Sequence, residues 1–146
     1  MKDENGNVIN ATKIVLEKKK TKYPKTYEEC LKISGIEGSR LMFNNYRITQ
    51  YERDLYLKIN NFSKLLICRD AYWKIAGDKM GLGEPWKPNY TNMGEKKFSI
   101  WVDFGEIKLG GAFTTTQMVL SFPTEEMRDA FYENFKELIN ECKELL

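Results

Sequence analysis

A chain of 146 residues that is 42% hydrophobic, 13% aromatic and 30% charged can bury a sizeable core and is too apolar for a disordered tail. Histidine is absent, which removes Ser-His-Asp and Cys-His nucleophilic systems, the commonest general base, and most zinc and haem sites. The net charge of +2 is unevenly spread: residues 1–32 carry eight lysines against five acids, and residues 124–146 three basic against seven acidic side chains.

The first segment, 1–25, reads as a basic N-terminal arm or linker, and 26–146 as a single α+β domain. Within the arm, Ile14–Leu16 is a short apolar run suited to a strand, and Lys18 to Lys25 a solvated linker. "MKDENGNVINATK" lacks the apolar run of a secretory signal, so an intracellular setting is expected. "KTYEECLKISGI" then carries a capping-box pattern, with Thr26 as N-cap and Glu29 three residues on. Gly35 is a natural stop, so a helix of about two turns follows. "RLMFNNYRI", 40–48, reads as extended.

Thr49 and Glu52 repeat the capping box, and Leu55, Ile59, Phe62, Leu66, Trp73, Ala76 and Met80 recur at helical spacing. One long helix is expected from about 50 to 77, stopped by Gly77 or Gly81, with Asn60-Asn61 as its weak point. "KKFSIWVDF" alternates, with Phe98, Ile100 and Val102 on one side and Ser99, Trp101 and Asp103 on the other. "FGE" turns the chain and "IKL" returns, "GGAFTTTQ" reads as a flexible connection, and "MVLSF" as a third strand. Thr124 opens a last helix whose stripe is Met127, Phe131, Phe135, Leu138, Cys142 and Leu145. Consecutive strands argue for α+β: a small antiparallel β-meander packed against two long helices, with a short N-terminal helix.

Three local patterns suggest chemistry and fail on context. Asp103-Phe104-Gly105 is a hairpin turn, because no catalytic loop or glycine-rich phosphate loop accompanies it. "GLG" at 81–83 does not join a strand to a helix N-terminus. "DENGN" has Val8 where a calcium loop needs glycine. Asp70, Asp78, Asp103 and Glu106 are of the right type for Mg²⁺, but nothing in their spacing makes them converge. Arg69-Asp70 reads instead as a buried or half-buried polar pair. The cysteines, Cys30, Cys68 and Cys142, are odd in number and sit in apolar-periodic contexts, as reduced core thiols do. No catalytic residue, cofactor or metal is therefore expected.

Two stretches are candidates for binding. Lys18, Lys19, Lys20, Lys22 and Lys25 lie among Tyr23 and Tyr27, combining charges for phosphates with rings for bases. In "GLGEPWKPNYTN" two prolines stiffen the chain around Trp86 and Lys87, with Tyr90 just beyond. Trp86 and Tyr90 either pin the loop to the core or are held out as anchors for a partner.

The segments "YPKTYEECLKISGI", "LLICRDAYW", "PWKPNY", "KKFSIWV" and "FPTEEMRDAFYENFKELI" together resemble a module of small proteins from phages and prophages of Bacteroidota. There, a helix ending L-x-L-R-D is followed by W-x-P-D-W, a K-Y-x-I strand, F-x-T-x-E-L-R-D and a terminal helix. The likeness covers roughly residues 24–36 and 62–146. Asn89 and Tyr90 stand where that module has Asp and Trp, and residues 1–22 have no counterpart. The resemblance implies a mobile-element setting in a bacterial cytoplasm and brings no catalytic residue or cofactor.

The expected function is a non-enzymatic phage- or prophage-type accessory protein acting by stoichiometric binding. Its most concrete form is an inhibitor of host defence, anti-CRISPR-like, engaging an RNA-guided nuclease. The partner would be a host protein or ribonucleoprotein, with nucleic acid reached through the basic arm, and no membrane. The alternatives are an RNA- or DNA-binding accessory protein and a virion or cargo structural protein.

Overall fold

The computed structural model describes residues 21–35, 49–113 and 117–146. The expected strand Ile14–Leu16, the stretch 40–48 and Lys18, Lys19 and Lys20 lie outside these residues. The described chain is α+β. Helix α1 (Tyr27–Ser34) and helix α2 (Gln50–Lys79) precede strands β1 (Lys97–Asp103), β2 (Glu106–Ala112) and β3 (Leu120–Phe122). Helix α3 (Glu125–Glu141) and a 3-10 turn (Lys143–Leu145) end the chain. The strands form one antiparallel sheet in the order β2–β1–β3, so β1 is central and pairs on both sides.

Local chemistry sets the helix starts. Thr26 Oγ1 accepts from the Glu29 N–H (3.2 Å), while the Glu29 carboxylate reaches one residue beyond the cap and accepts from the Lys25 N–H (2.9 Å). Gly35, at φ 72°, lets its own N–H reach the Leu31 carbonyl and closes α1. At α2 the capping box is complete: Thr49 Oγ1 accepts from Glu52 N–H, and the Glu52 carboxylate accepts from Thr49 N–H. Helix α3 starts in the same way, with Thr124 Oγ1 accepting from Met127 N–H.

The 30 residues of α2 run unbroken through Asn60-Asn61 and past Gly77. Gly77 is buried inside the helix because a loop crosses it there: a Cβ at this position would lie 2.0 Å from the Glu84 carbonyl oxygen. Of the two expected stops, Gly77 lies within the helix, where tertiary contact uses its bareness, and the helix ends at Lys79 just before Gly81, which is at φ 66°. Its core face is Leu65, Cys68, Ala71, Tyr72 and Ala76, with Trp73 at the margin. Leu55 and Met80, at the two ends of the expected stripe, are exposed.

The β1–β2 hairpin turns on Phe104 and Gly105 at φ 50° and 76°, a pair of positive values matching the right-handed strand twist. Strand β2 continues through Gly110 and Gly111, where composition suggested a flexible connection. The reason is cover from β1: the Trp101 ring lies over Gly110 and Phe98 over Gly111, leaving no room for larger side chains. The third strand is shorter than expected, only Leu120–Phe122, and fully buried.

Alternation along β1 gives the sheet two different faces. Ile100, with Leu120 and Phe122, joins Met127, Phe131 and Phe135 of α3 in the main core. Ser99 and Ser121 lie on the other face, their hydroxyls 2.8 Å apart. At Phe135 α3 kinks (φ −126°, ψ 17°), and beyond it Ile139 is buried fully while Leu138 is only partly so. Cys142 completes the stripe, and Leu145 is exposed.

Tyr72 is the hub of the core. Its ring meets Phe131 edge-on at 5.0 Å and Phe122 and Phe135 at about the same angle class, while Tyr23 stacks on it at 5.2 Å. Its hydroxyl donates to the Pro24 carbonyl (2.8 Å) and accepts from Asn134 Nδ2 (3.0 Å). The described end of the expected linker is therefore anchored through Pro24, although Lys22 and Lys25 project into solvent.

The helix–loop contact at Gly77 is testable. Gly77→Ala is expected to cost about 2 kcal/mol or more in unfolding free energy, as overpacking does. Urea denaturation measures it; a loss under about 0.5 kcal/mol would show that the loop gives way freely.

Candidate functional site

The proline loop is held by both of its rings. Trp86 donates its backbone N–H to the Trp73 carbonyl (2.9 Å), and its ring meets Trp73 edge-on at 5.8 Å. The Trp86 side chain belongs to the core, with the residue only 4% exposed. Trp73 in turn donates Nε1–H to the Ser121 carbonyl (2.7 Å), linking α2 to β3. Pro85 and Pro88 restrict the backbone on either side, which lowers the entropy lost on seating the indole. Of the two readings of Trp86, the pin is the one seen; an anchor role fails because no ring face is presented. Tyr90 is clipped likewise: its hydroxyl donates to the Met118 carbonyl (2.7 Å) and accepts from the Met118 N–H (3.2 Å).

Under this loop lies a buried lysine that the sequence reading missed. Lys97 is 1% exposed, and its ammonium donates to the carbonyls of Glu95 (3.2 Å) and Asn92 (3.3 Å). The Glu95 carboxylate is 3.9 Å away, and the Tyr90 ring centroid 5.5 Å. Two carbonyls, a carboxylate and a ring face compensate the lost hydration of the charge. The only signal in the sequence is phase: Lys97 shares a side of β1 with Ser99 and Trp101. Nearby, the Arg69 guanidinium covers Trp73 at 4.0 Å, donates to Asp70 (2.8 Å) and reaches the Val119 carbonyl (3.1 Å). This is the half-buried polar pair expected at 69–70.

The candidate lysines among the described residues divide between two hollows. Lys22 and Lys25 line a groove of about 1070 Å³ between residues 21–25, α1 and α3. Lys32 joins them there, and Pro24, Ile33 and Ala130 supply apolar lining. Among the described residues that line it the one acid is Glu29, whose carboxylate accepts the Lys25 backbone N–H. Lys87 is elsewhere, exposed beside a smaller hollow of about 450 Å³ that includes Arg69, Trp73 and Lys74. The fold therefore brings Lys22 and Lys25 together, adds Lys32, and separates them from Lys87, Trp86 and Tyr90.

The rings beside these lysines are occupied. Tyr23 has one face against Tyr72, at an interplanar angle of 14°, and Tyr27 lies under the Lys64 ammonium at 5.4 Å. The carboxylates do not gather either. Asp70 faces Arg69, Glu106 pairs with Lys108 (2.9 Å), and no cluster of three or more His, Cys, Asp or Glu exists among the described residues.

The three thiols are free and buried. The hydrogen bond with Cys30, and then burial, push the Cys68 thiol far above the usual range. Burial pushes Cys142 up to about 11, and its Sγ–H donates to the Leu138 carbonyl (3.2 Å). Burial likewise raises the Tyr72 phenol. These shifts hold the Cys68 and Cys142 thiols in their unreactive, protonated form. Compared with protein-family models, curated proteins and solved structures, the chain matches none of them.

Two expectations follow. Because Cys142, Cys68 and Tyr72 bind their protons more tightly when folded, stability holds below about pH 9 and falls as pH rises through about 11. Urea midpoints across that window measure this, and Cys142→Ala should flatten the fall. Trp86→Ala should destabilise by about 3–5 kcal/mol, while Lys87→Ala should stay within about 0.5 kcal/mol. Equal, small effects would remove the pin from Trp86.

Proposed function

We propose that this protein acts by stoichiometric binding, through the groove that Lys22, Lys25 and Lys32 line, on an acidic protein or ribonucleoprotein surface. The carrying observation is the composition of that groove: three exposed lysines against one acid, Glu29, among the described residues that line it. Such a surface steers an acidic partner and sets register more than it supplies raw affinity. Apolar lining at Pro24, Ile33 and Ala130 offers the desolvated contact that a purely electrostatic patch lacks.

In the mobile-element setting that the resemblance implies, the most concrete form is a host-defence inhibitor, anti-CRISPR-like, that occupies an RNA-guided nuclease. The burial of the three thiols, the protonated state of Cys68 and Cys142, and the dispersed carboxylates support binding over catalysis as the mode of action.

Direct binding of naked RNA or DNA is the second reading, favoured by the lysines alone. Base stacking would also need free aromatic faces, and Tyr23 and Tyr27 each have one face engaged, by Tyr72 and Lys64. That tips the balance toward a structured partner.

The test is a tagged pull-down of the full chain from host cells, with and without RNase, beside the triple variant Lys22→Glu, Lys25→Glu and Lys32→Glu. One protein or ribonucleoprotein recovered in near-equal amount, and lost with the variant, is the expected result. RNA alone, released by RNase and by raised salt, would favour the second reading. Capsid or tail proteins, or a partner indifferent to the triple variant, would overturn the groove as the contact surface.

A further inference from the structure

We propose that two copies of this chain associate through the outer edge of β2, in an antiparallel pairing about a two-fold axis. The argument starts from the backbone. The two-residue turn makes Asp103/Glu106, Trp101/Lys108 and Ser99/Gly110 the pairs that exchange hydrogen bonds with β1. The N–H and C=O groups of Ile107, Leu109 and Gly111 therefore point away from β1. Strand β2 is at the edge of the sheet, and no described strand meets these groups. The opposite edge strand, β3, is three residues long and buried, so the two edges differ.

Edge strands are ordinarily blunted by proline, a bulge, covering or charged side chains, and of these β2 carries only the charges of Glu106 and Lys108. In β2 the register runs unbroken over seven residue pairs, with no proline. Leu109 is 38% exposed, and at the turn Phe104 is fully exposed. Phe104 also holds φ 50°, where glycine or asparagine is the ordinary occupant. Neither the strain nor the hydrated ring is offset by any contact within the described chain.

The charges choose the occupant. Glu106 and Lys108 are two apart, so both project from one face of β2, and they already form an ion pair at 2.9 Å. Centring the two-fold on Ile107 sets each Lys108 opposite Glu106 of the second copy, giving four charges of alternating sign. A two-fold centred on Lys108 would oppose the two lysines, and one on Leu109 would leave every charge opposite glycine or alanine. One strand thus carries both halves of its own complement, the requirement of an isologous contact.

The test uses the full chain in sedimentation velocity, from micromolar to sub-millimolar concentration. A reversible dimer, weakened by salt, is expected. Ile107→Pro removes the outward N–H at the centre of the proposed pairing and should leave a folded monomer. Should that variant not fold, charge exchange decides. Lys108→Glu and Glu106→Lys should each weaken self-association by about tenfold or more, since two like-charge pairs replace two favourable ones. Mixed together, the two variants should restore a dimer, because each supplies the charges the other lacks. A monomer at every concentration overturns the proposal, even if a foreign peptide adds to the edge. A dimer that persists unchanged in all three variants overturns it as well.

Discussion

Burying the Tyr72 hydroxyl is the constraint on which the rest of the arrangement depends. A phenol at the centre of a core must find hydrogen-bond partners or cost more than its ring contributes. Here it takes two, the Pro24 carbonyl and the Asn134 amide, from segments more than 40 residues away on either side. Satisfying one hydroxyl therefore joins the N-terminal segment, α2 and α3. The groove with its three lysines lies among the residues so joined, and its position follows from that bond.

The next residue along α2 performs a second junction. Trp73 is one position on, about 100° around the helix, so it faces the loop and β3 where Tyr72 faces α3. Its indole N–H holds the Ser121 carbonyl, its own carbonyl receives the Trp86 N–H, and Arg69 covers its exposed face. The loop so fixed brings Asn92 and Glu95 over Lys97 and closes the polar side of the sheet. Two neighbouring rings thus tie α2 to both sides of the domain. The loop's stiffness serves the second junction, which is why Trp86 is spent inside.

What the sequence discloses and what it hides divide along the range of the interaction. Thr26 with Glu29, Thr49 with Glu52 and Thr124 are legible because an N-cap and its N–H are three residues apart, and the structure forms each of them. Phe104-Gly105 is legible as a turn for the same reason. Gly77, Gly110 and Gly111 mislead, since each is bare to admit something remote: the Glu84 carbonyl, the Trp101 ring, the Phe98 ring. In isolation such a glycine looks like a stop or a hinge. The long stripe on α2 was read near its true phase but spread along the whole helix, whereas burial concentrates between Leu65 and Gly77, where α3 and the loop cross. Lys22 and Lys25 were legible as candidates, but Lys32 enters only when α1 folds against the arm.

The opposed charges of the chain's two ends gain a partial explanation from the same packing. Tyr23 feels Glu126 at the start of α3, and Asn134 of α3 reaches the Pro24 carbonyl, so the described end of the basic segment lies along the acidic helix. Some of the asymmetry is therefore an internal attraction, which helps hold the arm in place. The side chains of α3 that line the groove itself are Ala130 and Asn134, while Glu126, one turn before Ala130, shares their face of the helix and acts on Tyr23. Glu126 tempers the basic charge at one end of the groove, and Lys22, Lys25 and Lys32 remain exposed to solvent. That arrangement favours a partner that brings its own negative charge, and it lets the helix steady the arm without occupying the surface the arm creates.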